Sequence, residues 1–455
     1  MPLSVTILEE ARVAVPATAG LPAEPIRLSA LDAQWVTIPL IQRLLIFVDG
    51  AGSRGIPPFA SVVAALRQSL AETVARFLPL AGRLVHLPST GDAAIDCTER
   101  GVAGGVRFIV AESDGADAAR LAGDADHDAE AFGRLVPVLD AGQLPAETMA
   151  AQVTRLQGGL AVSVALHHAV VDGRSVWRFL EAWAAACRGE GDADAAAAPP
   201  TFDRAAIKLP GGEELARSVL RRYAPDLPVA PMAALLVHPI LFRRTFTITA
   251  QKMLRLKQRI ADFSPVQQAA AMPSSFVAVA ALAWVSFVCA KHPDTVSPDD
   301  DVYLFFFADC RARLNPPPGE RYFGTCITGC LAKATARDLL AESGVARAAA
   351  AVAEEVRRAA EEPLAMWEWM DILSWIPLDR LVNMAGSTRF PAYEAADFGW
   401  GPPGRTELVT MHHNGQVVLV AGKKDGSGAG AVQASVAIVP AHMEAFKSHF
   451  LSYLG

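Results

Sequence analysis

The sequence predicts an α/β protein built from two domains with mixed β-sheets and flanking helices. The chain has 455 residues, which exceeds the roughly 250–300 residues that one hydrophobic core usually supports. Apolar runs of strand length alternate with segments of helical spacing in both halves. A polar, alanine-rich connection ending at Pro199 and Pro200 separates them. We therefore place one domain at 1–190, a crossover linker at 191–229 and a second domain at 230–455.

Each half contains recognisable elements. The first ten residues lack the basic and long apolar regions of a secretory signal, so we interpret them as a strand. Apolar spacing predicts helices over 57–78 and 343–360. Apolar and β-branched runs predict the remaining strands at 106–110, 160–166, 302–307, 408–412, 416–420 and 432–438.

The uncharged segment 276–290 is the strongest candidate for a membrane span. It is too short to cross an apolar layer of about 30 Å comfortably, and Pro273 and Ser274 before it are typical of a helix start. We interpret it as a buried helix. With neither a signal nor a span, we expect a cytoplasmic protein that does not insert into membranes, and we expect it to be a monomer.

Composition excludes some classes of partner and cofactor. The net charge of −7 gives no electrostatic reason to expect a nucleic acid or an anionic membrane. The six cysteines have no disulfide-framework spacing, which indicates free thiols in a reducing compartment. Cys326 and Cys330 are spaced C-x-x-x-C without His or Cys partners at zinc spacing, so we expect core residues and no metal site.

The segment 166–175 contains the most informative motif, H-x-x-x-D-G. It places His168 where the apolar strand 160–166 ends. Gly173 then breaks the apolar pattern, and Ser175 can cap a helix that follows. Histidine titrates near neutrality, so His168 is a candidate general base. The alternative is a hydrogen-bonded core histidine, which we assign to His167 on the opposite strand face.

Asp172 has three possible roles at this stage: a second catalytic acid, a group that orients His168, or a buried structural ion. Arg174, at the helix start, is either a ligand for an anionic group or a solvated surface residue.

A second motif, D-F-G-W-G, occupies Asp397, Phe398, Gly399, Trp400 and Gly401. It could be mistaken for the metal-binding Asp-Phe-Gly of kinases, but no glycine-rich phosphate loop or H-R-D segment accompanies it. Its glycines suit a tight turn and its aromatic residues suit packing, so we predict a structural role.

Together, the two motifs and their positions resemble the plant BAHD family of coenzyme-A-dependent acyltransferases over the whole chain. The segment F-L-P-L-A-G-R-L at 77–84 is similar to a stretch of that family's first domain. Y-F-G-T-C at 322–326 and A-G-S-T-R-F at 385–390 resemble the branch that malonylates phenolic and flavonoid glycosides, including anthocyanins. Each of these two departs from the branch pattern by one residue, at Thr325 and Thr388.

The resemblance implies a fold related to chloramphenicol acetyltransferase, with a channel between the domains. It implies that Asp172 turns away from the channel and pairs with Arg311, while Gly173 permits the turn and keeps the channel open. The second domain would carry the D-F-G-W-G motif and most of the coenzyme A site. We assign Arg174, Ser275 and Arg311 to donor binding.

The resemblance further implies transfer of an acyl group, most readily malonyl, from acyl-coenzyme A to a hydroxyl of a phenolic or flavonoid glycoside. The acyl-coenzyme A is a co-substrate, and we expect no permanently bound cofactor. No serine or cysteine lies in a G-x-S-x-G context, which favours direct attack in a ternary complex over an acyl-enzyme.

Two alternatives remain open, and a third is disfavoured. The donor can be acetyl- or hydroxycinnamoyl-coenzyme A and the acceptor another alcohol or an amine, or the fold can be a non-catalytic binding module. Peptide-synthetase condensation domains share H-H-x-x-x-D-G, but D-F-G-W-G and the absence of carrier or adenylation domains disfavour that class.

Overall fold

The computed structural model describes residues 3–17, 19–50, 55–123, 125–190, 199–232, 240–263, 272–424 and 430–455. The strands within these ranges are β1 (Ser4–Val13), β2 (Ile26–Arg27), β3 (Ile41–Val48), β4 (Arg83–Leu87), β5 (Asp92–Asp96), β6 (Val106–Asp117), β7 (Ala146–Glu147), β8 (Met149–Gln157), β9 (Gly159–Leu166), β10 (Phe242–Ile248), β11 (Asp301–Asp309), β12 (Ile327–Thr335), β13 (Leu381–Gly386), β14 (Arg405–Leu408), β15 (Gln416–Lys424) and β16 (Gly430–Ile438).

The α-helices of the same ranges are α1 (Ala30–Ala33), α2 (Phe59–Arg76), α3 (Glu99–Val102), α4 (Ala118–Gly123), α5 (Ala129–Arg134), α6 (Gly173–Cys187), α7 (Gly212–Tyr223), α8 (Ala250–Asp262), α9 (Ser275–Lys291), α10 (Ala336–Leu340), α11 (Gly344–Glu361), α12 (Trp369–Ser374) and α13 (Pro440–Ser452).

Two large sheets, each six-stranded within the described residues, organise the protein. The first has the order β1-β6-β8-β9-β3-β14 and is antiparallel except for the β6–β8 pair. The second has the order β10-β16-β15-β13-β11-β12, in which β13 runs parallel to both β11 and β15. A smaller sheet has the order β2-β5-β4-β7. The predicted α/β class with mixed sheets is confirmed.

The first hydrophobic core forms where α2 and α6 pack together beside the first sheet. Helix α6 is amphipathic, and its buried face carries Trp177, Phe179 and Trp183. The indole Nε1 of Trp183 donates to the carbonyl oxygen of Leu66 at 3.2 Å, which satisfies a buried donor at the contact between the helices. This packing fixes the start of α6, where the H-x-x-x-D-G motif ends.

Helix α9 is the centre of the second core, as predicted for 276–290. Ser274 caps it by accepting a hydrogen bond from the backbone N–H of Val277 at 3.2 Å. Its side chains are buried on all sides, because α8, α10, α11 and α13 surround it. Within the described ranges, no helix combines the length and the apolar character needed to cross a membrane.

The two halves of the chain interlock more than the sequence suggested. A strand was predicted at 408–412 with the second domain, but the strand is Arg405–Leu408, and it pairs with β3 of the first sheet. The backbone of Gly404 already donates to Ile46 at 2.7 Å. The edge of the first sheet offers backbone donors and acceptors that need partners, and the segment satisfies them although it lies between strands of the second domain in the chain.

The region predicted as a linker also carries structure. Residues 191–198 lie outside the described residues, whereas 199–229 contain α7, which packs against α1. Arg217 of α7 pairs with Asp92 at 2.9 Å. The domain boundaries 1–190, 191–229 and 230–455 therefore stay a prediction. Both α7, from the predicted linker, and β14, from the predicted second domain, pack with elements of residues 1–190.

Candidate active site

A cavity of 1740 Å³ is lined by residues of both large sheets. It is larger than the roughly 300–1,000 Å³ of a typical single-ligand pocket, so it has room for two substrates. The first half contributes β3 and the start of α6, and the second half contributes β11, β13 and the start of α9. The predicted site residues in its wall are His168, Asp172, Gly173, Arg174 and Ser275.

His168 follows β9 by two residues and lies in the cavity wall. Its imidazole stacks on the indole of Trp35 with ring centroids 3.8 Å apart and an interplanar angle of 14°. Its backbone carbonyl accepts a hydrogen bond from the hydroxyl of Thr325 at 2.7 Å. The ring and the backbone of His168 are thus each held by a neighbour from a distant part of the chain.

The electrostatic surroundings keep His168 in its neutral form. Burial lowers the pKa of His168 to about 4, and this outweighs the opposite effects of its own backbone carbonyl and the Asp172 carboxylate. A neutral imidazole at physiological pH can accept a proton.

Burial also lowers the pKa of the neighbouring His167 to about 4. His167 Nδ1 accepts from the backbone N–H of Ala169 at 3.2 Å, which fits the structural role predicted for it.

Asp172 joins the motif to the second half of the chain. Arg311 Nη1 lies 2.8 Å from Asp172 Oδ2, which forms the ion pair that the family resemblance implied. The same carboxylate accepts from the backbone N–H of Cys326 at 3.1 Å and of Ser175 at 2.9 Å. Although burial acts to raise the pKa of Asp172, Arg311 and these donors hold it below its usual value. Asp172, rather than Ser175, is therefore the N-cap of α6.

The structure corrects the donor-binding assignment of Arg311. The residue is 2% exposed and does not belong to the cavity wall. Its guanidinium donates to the carbonyl oxygens of Tyr322 at 3.2 Å and Gly324 at 2.9 Å, in addition to its contacts with Asp172 and Asp309. Because these partners occupy the guanidinium inside the protein, Arg311 supports the site from behind and cannot reach a substrate.

Gly173 keeps space open for another side chain. It is the first residue of α6 and does not have a positive φ, so the expectation that glycine is needed for the turn is wrong. A Cβ at this position would lie 3.0 Å from Phe390 Cε2. Phe390 also lines the cavity. A side chain at 173 would therefore push against the cavity wall, which agrees with the second part of the expectation.

Arg174 lies at the cavity, but its charge is compensated. Its Nη1 is 3.2 Å from Asp309 Oδ2, and its Nη2 pairs with Glu320. The side chain is 42% exposed. With two carboxylate partners, Arg174 fits an ion-pair role between α6 and the segment after β11 better than the predicted recognition of an acyl carboxylate. Ser275, at the first turn of α9, also lies in the cavity wall, and its role in donor binding stays a prediction.

The D-F-G-W-G segment lies outside the cavity wall. Asp397 Oδ1 accepts from the backbone N–H groups of Gly399 and Gly401, both at 2.9 Å. The two glycines have φ values of 113° and 101°, a region that side chains disfavour. Phe398 and Trp400 stack on each other and pack against Phe47 in the first core. The motif is therefore a turn that anchors the second half of the chain onto the first.

Sequence reasoning missed four residues that hold the site. Thr325 was noted only as a departure from the branch pattern, and Trp35 carried no sequence signal. Asp32 and Arg204 form a second buried ion pair at 3.2 Å. Arg204 also donates to the carbonyl oxygen of Val170 at 3.1 Å, so part of the predicted linker fixes the loop after His168. Only the tertiary fold brings these residues together.

Four of the six cysteines are buried, and Cys187 and Cys289 are partly buried. All six are free, and Cys326 and Cys330 are buried. Burial raises the pKa of Cys330 to about 12 and also raises that of Cys326, so both stay protonated. Within the described residues, no cluster of His, Cys, Asp and Glu is arranged to hold a metal ion.

Comparison with known proteins identifies the family. The model of the Transferase family matches residues 3–452. The phenolic glucoside malonyltransferase 1 of Arabidopsis thaliana is 30% identical, with 94% of this chain and 93% of the relative covered. The agmatine coumaroyltransferase of the same plant is 26% identical, with each chain fully covered. Among solved structures, vinorine synthase has a TM-score of 0.73 at 20% identity, covering 99% of this chain and 98% of its own.

The likeness to vinorine synthase shows the two-domain fold, while the family model and the Arabidopsis relatives show the family. The chain belongs to the Transferase family and is a BAHD acyltransferase, an enzyme that uses acyl-coenzyme A to acylate its acceptor.

Proposed function

We propose that this enzyme transfers a malonyl group from malonyl-coenzyme A to a sugar hydroxyl of a phenolic or flavonoid glycoside. The observation that carries the proposal is the neutral His168 in the wall of a cavity shared by both halves. Relatives named as malonyltransferases of phenolic glucosides and of an anthocyanidin glucoside support the choice of donor and acceptor. We place the protein in the cytoplasm as part of the same proposal.

In the proposed reaction, the acceptor hydroxyl attacks the thioester carbonyl carbon while His168 Nε2 takes the hydroxyl proton. The tetrahedral intermediate then collapses, the carbon–sulfur bond breaks, and the imidazolium returns the proton to the leaving thiolate. Both substrates must be bound together, since the proton passes directly between them through one imidazole. The walls of the cavity exclude water that would otherwise hydrolyse the thioester.

A covalent acyl-enzyme has less support. No cysteine belongs to the described cavity wall, and the thiols stay protonated because burial raises their pKa. Asp172 is committed to Arg311 and to two backbone donors, so it supports the motif and is not a second base. Direct transfer needs only the residues found at the cavity.

The test is a screen of donors against acceptors with the purified enzyme. Malonyl-, acetyl- and coumaroyl-coenzyme A are each combined with phenolic glucosides, flavonoid glucosides and agmatine, and free thiol and acylated product are measured by absorbance and mass spectrometry. We expect the highest kcat/KM for malonyl-coenzyme A with a glucoside. A preference for coumaroyl-coenzyme A and an amine would refute the malonyl proposal and favour the activity that the name of the coumaroyltransferase relative gives.

A non-catalytic binding module predicts a different result. Such a protein would bind acyl-coenzyme A without releasing thiol in the presence of any acceptor. The His168→Ala variant is the matched control, because it should bind the donor as the wild type does while losing transfer.

A further inference from the structure

The cavity wall contains an arginine that no motif identified. Arg43 lies on β3 and is 5% exposed, and it belongs to the cavity wall. Among the described residues it forms no hydrogen bond or ion pair, and its Nε is buried without a partner. Its guanidinium lies over the indole of Trp177, 5.1 Å from the ring centroid. A buried cation without a counter-ion is costly unless a bound ligand supplies the opposite charge.

The contrast with Arg174 sharpens this point. Arg174 is 42% exposed and has two carboxylate partners. Arg311 is buried but is paired with Asp172 at 2.8 Å. Of these three arginines near the motif, Arg43 alone combines burial in the cavity wall with an uncompensated charge.

The carboxylate of Glu407 does not neutralise Arg43. In the pairing of β14 with β3, Leu408 lies opposite Arg43 and Glu407 lies opposite Leu44. Successive residues of a strand face opposite sides of the sheet, so Glu407 points away from the cavity. There it pairs with Arg405 at 3.3 Å and accepts from Ser435 at 3.3 Å. Its charge acts on Arg43 only through space.

A second donor belongs to Trp177, the residue whose ring lies under Arg43. The indole Nε1 of Trp177 is buried without a hydrogen-bond partner within the described residues, and Trp177 also lines the cavity. Trp177 is four residues after Gly173 on α6, so both lie on the face that borders the cavity. The guanidinium of Arg43 and the indole N–H of Trp177 are donors only, and a planar carboxylate is an acceptor that matches a guanidinium.

We propose that Arg43, supported by Trp177, binds a carboxylate of the substrate inside the cavity. The proposal rests on the proposed acyl transfer and adds the residue that selects a charged substrate. The carboxylate has two possible sources, the free end of a dicarboxylic acyl group such as malonyl or an acidic group on the acceptor. In both cases the desolvated guanidinium of Arg43 binds a carboxylate.

The experiment compares kcat/KM for four substrate pairs in the wild type and in Arg43→Met, which replaces the aliphatic part of the side chain by an unbranched apolar chain and removes the guanidinium. The donors are malonyl- and acetyl-coenzyme A, and the acceptors are phenyl glucoside and its para-carboxylated derivative. If Arg43 holds the acyl carboxylate, the malonyl-to-acetyl preference should fall by roughly 10- to 100-fold. If it holds the acceptor carboxylate, the preference for the carboxylated acceptor should fall by that factor. Equal losses for all four pairs, or no loss, would overturn the proposal.

Two further variants separate recognition from damage. Arg43→Lys keeps the charge but loses the planar fork, so it should retain part of the preference and shows the effect even if Arg43→Met folds poorly. Arg243→Met removes another buried arginine, 6% exposed, which donates to the carbonyl oxygen of Val409 at 2.9 Å and lies outside the cavity wall. It should lower stability without changing either preference. A change in preference as large as that of Arg43→Met would count against Arg43.

Calorimetric titration tests carboxylate binding by Arg43 independently of acyl transfer. Binding of each donor and each acceptor to the wild type and to Arg43→Met needs no turnover. If the wild type transfers no acyl group, the proposed function fails, while a loss of affinity confined to one carboxylated compound still supports the Arg43 site. Identical affinities in the two proteins refute the site even if transfer is observed.

Discussion

Replacing Asp172 by Asn should lower the free energy of unfolding by about 3 kcal/mol. The change removes a negative charge that compensates the buried guanidinium of Arg311. The ion pair is 2.8 Å long, and Arg311 is 2% exposed. Breaking a buried pair on one side typically costs about 3–5 kcal/mol. The lower figure applies here because Asp309, 3.2 Å from Arg311, still provides a carboxylate. Asn retains an oxygen for the N-cap contact with Ser175, so most of the loss is electrostatic.

The assay is a double-mutant cycle with Asp172→Asn, Arg311→Met and the double variant, followed by urea and thermal unfolding. The single variants should each be strongly destabilised, and the double variant should be much less destabilised than their sum, by about 2–3 kcal/mol. Activity should fall in parallel, because the pair holds the start of α6 next to His168. Additive losses, or an Asp172→Asn variant as stable as the wild type, would refute the reasoning.

Further outcomes are expected for His168, Thr325 and Arg174. His168→Ala should lower kcat by roughly 10²–10⁴-fold without unfolding the protein, and a folded, fully active variant would exclude the general-base role. Thr325→Val, which removes the hydroxyl that donates to the His168 carbonyl at 2.7 Å, should lower kcat about 2- to 10-fold at constant KM. Thr325→Ser keeps the hydroxyl and should have the activity of the wild type. A Ser variant as slow as Thr325→Val would contradict a role for the hydroxyl. The pKa of His168 is lowered to about 4, so the acid limb of kcat/KM should lie near pH 4, and a limb near 6.5 would contradict the burial argument. By the same shift, His168 contributes stability that is complete above about pH 6.5 and is lost as the pH falls towards 4, which thermal unfolding across that range measures. Arg174→Ala should lower transfer from malonyl- and acetyl-coenzyme A by the same small factor, equivalent to less than about 1 kcal/mol, and a loss confined to malonyl would restore its donor role.

The sequence was sufficient for the parts of the fold that depend on local pattern. The uncharged apolar run after Pro273 and Ser274 located α9, and apolar spacing located α11, each within a residue or two of its ends. The apolar pattern missed the partner of β14, since a short strand carries no information about which sheet edge will accept its backbone. The D-F-G-W-G glycines were predicted to form a turn, and their positive φ angles explain why.

The candidate site divides in the same way. The sequence by itself determined the motif, the position of His168 after a strand and, through the family resemblance, the pairing of Asp172 with Arg311. Only the tertiary structure decided which arginine side chains have a carboxylate partner. Arg174 and Arg311 meet carboxylates from distant segments, whereas Arg43 meets an indole and an open cavity. Charge compensation depends on contacts between residues far apart in the chain, and a single sequence does not encode those contacts in any local pattern.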